Sequence, residues 1–333
     1  MCRGFSSSRF SFDSRGVWGN LIAMGFEDKK IVKAPVIGDC FLKVLAALTI
    51  IASGVFHSSH VHAAKDPAIE VGFIPHKALY DIRLSSKKSG VMISNLSGKM
   101  MYEWHSSCDG WVSNYQFDML YEYIEMPAAR ITSDVSTFES FDGKRFNFSA
   151  QRKKDNHIFE QFRGATVAGE GGSPQSVLYT MPKDLSYDLP KGTFFPMGHT
   201  LDVLKMINQG KRLYSSPLFD GSGEEGPVNV NTFIGKDYIY QKPETVENSG
   251  DSSIEDNIDP ALVNTKAWDL RLAFFPLDSS DSMSDYEMSV VFHENGVISS
   301  MEIEYADFSI MQKLIAIEPV ETGCDAPISG DKD

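Results

Sequence analysis

Apolar and polar residues alternate along most of this chain, the two-residue period of strands that bury one face. Ala78, Tyr80, Ile82 and Leu84 mark a first strand, and Ser89-Gly90 turns it toward Val91 to Asn95 and then Gly98 to Trp104. The longest run, Trp111 to Glu125, puts Tyr115, Phe117, Met119, Tyr121 and Tyr123 on one face, and Pro127 ends it. That aromatic face reads as core rather than as a ligand box. Further strands are predicted over Arg130 to Phe138, Arg145 to Arg152, His157 to Val167, Ser176 to Met181, Val228 to Ile239 and Ala267 to Phe275. Asp142-Gly143 and Lys154-Asp155-Asn156 supply turns between them. The strongest hairpin signal pairs Tyr286 to Phe292 with Val297 to Tyr305 across Asn295-Gly296. Phe308 to Val320 closes the series as a strand, with a short helix over Ile310 to Ile317 as the alternative.

One stretch has a different period. From Met197 or Gly198 to Gln209 the spacing predicts about three helical turns, with Pro196 at the start and Gly210 as a left-handed exit. Leu201, Val203, Leu204, Met206 and Ile207 sweep about 220° of its circumference, wider than the apolar stripe of a surface helix. Such a helix is gripped on two sides. A dozen or so strands joined by hairpins would leave long exposed edges unless the sheet curls. The fold expected is mainly β: a curled antiparallel sheet, open and barrel-like, wrapped around one central α-helix.

The N-terminus changes what counts as the folded chain. Lys43 precedes the 13-residue apolar run Val44 to Phe56, and Val61-His62-Ala63 follows with a small-residue cleavage pattern. Thirteen residues fall short of the about 20 needed to cross a bilayer. Residues 1–63 therefore read as an export signal with a long n-region, translation starting at Met1 or Met24. Residues 64–333 read as a single domain, interrupted by an acidic, solvated insertion at 243–259. The leader carries seven of the 31 Lys and Arg and four of the 45 Asp and Glu, so the remainder stands at −17. That charge argues against nucleic acid or a bare anionic membrane as partner. The same cut removes Cys2 and Cys40 and leaves Cys108 and Cys324, the arithmetic of one disulfide in an exported protein, with two free thiols as the alternative.

Candidate chemistry is sparse. No two of the five histidines after residue 63 have metal-ligand spacing, and no Gly-x-Ser-x-Gly elbow is present. His199, in the first turn of the helix, reads as a structural hydrogen-bonder. The segment Asp220-Gly221-Ser222-Gly223-Glu224-Glu225 lacks the length of a calcium loop and reads as a turn. Cys108 and Cys324 lack the C-x-x-C spacing of a redox catalyst.

Several short segments, in order, carry a resemblance: Pro75-His76-Lys77-Ala78-Leu79-Tyr80, Gly98 to Tyr102, Cys108-x-Gly110-Trp111, Ser140-Phe141-Asp142-Gly143, Phe195-Pro196-x-x-His199-Thr200, Phe219-Asp220-Gly221 and the late Cys324. Together they resemble the EipB family of cell-envelope integrity proteins of alphaproteobacteria, over about Phe73 to Cys324. The resemblance implies a periplasmic location, a disulfide between Cys108 and Cys324, a β-spiral around a helix, and a role in envelope maintenance with no known catalytic activity. It implies no cofactor or metal and assigns no ligand-binding residue. The acidic stretch and the long N-terminus depart from the pattern.

The function expected is that of a non-enzymatic periplasmic factor that works through a protein or envelope component of unknown identity. A carrier that shields a lipid or acyl chain in an apolar interior is the alternative. The helix discriminates between them. With its apolar arc fully packed, as the width of the arc predicts, the protein works through its outer surface; with part of the arc lining a void, the interior can hold a chain.

Overall fold

The computed structural model describes residues 65–168, 175–241, 257–277 and 283–321. A short helix α1 (Pro67–Glu70) leads into β1 (His76–Lys87), β2 (Ile93–Ser106), β3 (Gly110–Tyr123) and β4 (Ala129–Ser140). The arm continues through β5 (Phe146–Lys154), β6 (His157–Val167), β7 (Ser176–Met181) and β8 (Ser186–Asp188), and then enters α2 (Pro196–Asn208). A second arm runs through β9 (Leu213–Leu218), β10 (Val228–Ile239), the two-residue β11 (Asn257–Ile258) and helix α3 (Pro260–Val263). It ends with β12 (Lys266–Pro276), β13 (Tyr286–His293), β14 (Ile298–Glu304) and β15 (Phe308–Pro319). No described helix is long and apolar enough to cross a membrane.

All these strands form one sheet in the order β8-β7-β6-β5-β4-β3-β2-β1-β15-β14-β13-β12-β10-β9, antiparallel throughout, with β11 pairing β15 in parallel from off the path. The first strand is central: β1 pairs with β2 on one side and with the last strand, β15, on the other. The inward residues of β1, Ala78, Tyr80 and Ile82, are buried as their alternation requires. Between β8 and β9 the sheet stays open, and α2 crosses the gap. Two backbone bonds tie the crossing segment to β9: Phe194 N–H donates to the Pro217 carbonyl (2.9 Å) and Phe219 N–H to the Phe194 carbonyl (3.0 Å). The β9–β10 loop then reaches the opposite arm. Its carbonyls at Ser222, Gly223 and Glu224 accept from Arg152 Nη2 (2.5 Å), Tyr179 Oη (2.7 Å) and Tyr187 Oη (2.5 Å). The sheet is thus curled but not closed, as the strand count predicts.

Several boundaries differ from the sequence pattern for physical reasons. Val91 to Asn95 and Gly98 to Trp104 are one strand, β2, because Gly98 stays in register with Met119 of β3 and a side chain there would strike the β3 backbone. The predicted closing strand is confirmed as β15, and its helical alternative is excluded. Strand β9 carries Pro217 and two serines and gives little apolar signal; pairing with β10 makes it a strand. The end of the acidic stretch is not solvated loop. Ile258 is buried beside β15, and Asp259 caps α3 by accepting the Ala261 N–H (2.9 Å). The rest of that stretch, 243–256, and the expected loop over 169–174 lie outside the described residues, as do the leader and Cys324.

Candidate functional site

The site is built around the N-terminal half of α2. Pro196 stands at the first helical position, where its missing N–H costs nothing, and Phe195 before it offers no side-chain cap. The cap comes from across the interior. Glu139, on β4, accepts the Met197 N–H and the Gly198 N–H, each at 2.8 Å, so one carboxylate satisfies two orphan donors. Gly198 is needed for this approach, since a Cβ there would lie 2.8 Å from Glu139 Oε1. Glu139 is 3% exposed, and burial pushes its carboxyl up to about 7 against the downward pull of those two N–H groups. At the far end Gly210 takes φ +73°, and the N–H groups of Gly210 and Lys211 close on the carbonyls of Ile207 and Met206.

The helix presents two kinds of surface to the sheet. Leu204 and Ile207 are packed among Trp104, Trp111, Ile234 and Trp268, with Leu201 and Met206 half-buried against the same cluster. Met197 and Val203, members of the same cluster, also line a cavity of about 280 Å³, together with His199 and Thr200. The opposite walls come from both arms: Tyr80, Met100, Tyr102, Tyr115 and Phe117 on one, Leu272, Phe274, Met288, Phe292 and Met301 on the other. The prediction of a completely filled interior is therefore overturned. The apolar arc does bury on two sides, but part of one side faces space.

The aromatic face of β3 serves both readings set against each other in the sequence: Phe117, Met119 and Tyr121 are buried core, while Tyr115 and Phe117 also form cavity wall. His199 does not meet its predicted role. Its Nε2 is buried without a hydrogen-bond partner, and burial drives the ring down to about 4, so it is neutral. Ser222 Oγ and Gln312 Oε1, on residues that also line the cavity, are likewise buried without a partner among the described residues. The segment from Asp220 is the predicted turn, with Asp220 Oδ1 accepting the Ser222 N–H (2.9 Å). Among the described residues no cluster of His, Cys, Asp and Glu is arranged to hold a metal. Cys108 lies exposed in the turn between β2 and β3, and its expected partner is outside the described residues.

Glu139 and Gln312, and the place of Ser222 in the cavity wall, are features of the site that the sequence reading did not single out. Two of them leave a legible signal. Ser133, Val135, Thr137 and Glu139 share the inward face of β4, and Ile310, Gln312 and Leu314 that of β15, so each polar side chain interrupts a buried register. Ser222 leaves none, because its place depends on a long-range contact with Arg152.

On the other flank of α2 an open groove of about 700 Å³ runs between the helix and the β4–β5 turn, floored by Trp111, Phe141, Phe194, Leu201 and Leu204.

Comparisons with known proteins agree with this architecture. The chain is 29% identical over 290 residues to the cell envelope integrity protein EipB of Brucella abortus strain 2308, covering 85% of this chain and 96% of that protein. The crystal structure of a β-barrel-like protein of a domain of unknown function, also from Brucella abortus, superposes with a TM-score of 0.66 at 27% identity, covering 75% of this chain and 99% of the other. The EipB-like family model matches residues 67–321, from α1 to the end of the last strand, and the chain belongs to that family.

Proposed function

We propose that this protein is an exported, non-catalytic factor that maintains the cell envelope by holding the apolar chain of an amphiphilic envelope component between α2 and the sheet. The observation that carries the reading is the cavity of about 280 Å³, enclosed by side chains of both arms. Its size is at the lower end of ligand pockets, which suits a single chain rather than a whole lipid. Met100, Met197, Met288 and Met301 in its walls are flexible and polarisable, able to re-pack around different chains. The envelope role is taken from the name of the Brucella relative. The apolar run before Ala63 supports export to the periplasm, and the two cysteines left by its removal support a bond between Cys108 and Cys324.

A second reading rests on the outer groove beside α2, whose apolar floor fits a protein partner. One experiment separates the two. Protein exported to a periplasm and purified without detergent or reductant should give, by native mass spectrometry, a chain beginning near Ala64. It should be two hydrogens lighter than the reduced form and carry one stoichiometric apolar adduct that organic solvent releases. A bare chain defeats the ligand reading and leaves the groove. A retained leader defeats export, and a mass with both thiols free defeats the disulfide.

A further inference from the structure

The groove on the outer flank of α2 lies beside the turn that carries Cys108. The carbonyl of Asp109, the next residue in that turn, accepts the Phe141 N–H (3.0 Å), and the Phe141 ring meets Trp111 edge to face at 5.0 Å. Both rings belong to the groove floor, and Val71, 51% exposed, stands at its edge. The chain leaves its last strand close by. Val320 N–H donates to the Pro75 carbonyl (2.9 Å), in the same connector between α1 and β1 that carries Val71. An apolar floor left open to solvent marks an interaction surface.

A segment of this chain is placed to cover it. Glu321 is the last described residue, and Cys324 is followed by Asp325-Ala326-Pro327-Ile328-Ser329-Gly330-Asp331-Lys332-Asp333. With Cys324 bonded to Cys108, their Cα atoms stand about 6 Å apart, and Ile328, four residues on, reaches at most about 14 Å further. Trp111, three residues from Cys108, lies within about 11 Å of it. The tether therefore delivers Ile328 to the groove and to no distant face. Ile328 is the large apolar side chain of this segment, and Pro327 keeps Ala326 extended, the form that a shallow groove accepts. Charge decides little here, because the cations at the groove edge are exposed and already paired: Arg145 with Asp109, Lys144 with Asp142 and Lys205 with Asp202. We propose that residues 325–333 lie in the outer groove with Ile328 on its floor, and that this segment keeps other proteins out of the groove until it is displaced. This rests on the bond between Cys108 and Cys324 proposed above and is independent of the ligand reading.

The test uses the mature protein, purified without reductant and carrying the photocrosslinker substitution Lys205→p-benzoylphenylalanine on the groove wall. The protein is irradiated at high dilution and the joined peptides are mapped. The expected product is an intramolecular link from position 205 to a residue within 325–333. Ile328→Asp keeps the tether but removes the apolar contact, and it should lower the yield of that link at least about fivefold. The same photocrosslinker at Ile124, 60% exposed beyond the far end of β3 and about 40 Å along that strand from Trp111, should give no link to the segment. A yield unchanged by Ile328→Asp shows collision on a tether rather than docking and overturns the proposal. So does a link between two chains, which gives the groove to a second copy, or the absence of any link to the segment. If both thiols are found free, a link still sensitive to Ile328→Asp supports docking and defeats only the bond, whereas free thiols without the link overturn both.

Discussion

Two regions of the interior, a few residues apart along the chain, are packed by opposite rules. Where the β9–β10 loop meets the first arm, Phe146 stacks on Phe195 at 4.6 Å and 3° between planes, and Phe148 meets Tyr179 at 4.9 Å and Phe219 at 5.6 Å, both edge to face. Phe146, Phe195 and Phe219 are almost fully buried, and Gly221 takes φ +67° with a Cβ position that the Phe148 ring already fills. One and two helical turns further on, His199 and Val203 border the cavity. The contrast teaches where rigidity is needed. Among the described residues no ladder joins β8 to β9, so interlocked rings and the three loop carbonyls hold the far ends of the two arms together, and the part of the interior relieved of that duty can stay open. In the aromatic region packing has one solution; in the cavity, walls of methionine and leucine admit several.

The contrast can be broken most directly at the aromatic end. Phe219→Ala should cost about 3 to 5 kcal/mol in denaturant unfolding, since it removes the ring that joins loop to arm and leaves a void the neighbours cannot fill. A loss below about 1 kcal/mol would mean the arms are held elsewhere.

A smaller effect is expected from the cap. The folded Glu139 carboxyl titrates at about 7, above the 4.5 of an exposed glutamate, so its stabilising contribution is fully present below about pH 4.5 and is lost as pH rises toward and through 7. His199, pushed down to about 4, acts the opposite way, losing stability as pH falls from 6.5. The difference between wild type and Glu139→Gln isolates the first slope. Wild type should lose on the order of 2 to 3 kcal/mol relative to the variant between pH 4.5 and 7.5, in unfolding curves taken at half-unit steps. A flat difference would show that the two backbone donors fully offset burial. The smallest effect is expected at the cavity wall, where Val203→Ala should cost about 1 kcal/mol because the side chain is small and borders the cavity on one side. A cost equal to that of Phe219→Ala would erase the contrast.

Much of this molecule is legible in its sequence where the signal is local. The helix starts at Pro196, one or two residues before its predicted start at Met197 or Gly198, because proline, glycine and the apolar arc are all nearby features. The hairpin over Asn295-Gly296 and the strand ending before Pro127 follow from turn chemistry in the same way. What the sequence hides is long-range. Strand β9 has no apolar period of its own, and three-residue β8 is too short to show one. The void beside Val203 depends on how far apart the two arms settle, which the width of an apolar arc cannot report. His199 illustrates the same limit: its place in the first turn was readable, but its missing partner is a property of the opposite wall.

The central position of β1 sets the order in which the molecule can be finished. A chain leaves the ribosome N-terminus first, and β1 through β8 can fold back on one another as they appear, each strand finding its partner in the one just before it. The other edge of β1 has no such neighbour. His76 pairs with Pro319 and Leu84 with Ile310, so the middle of the sheet remains an open seam until the end of the chain arrives. This pairing closes the longest loop in the fold, and the cavity acquires the wall that bears Gln312 only with it. The first arm is thus laid down from the centre of the sheet outward and the second from its edge inward: the last strand made is the one on which the whole sheet hinges, and the cavity takes its full shape at the final step.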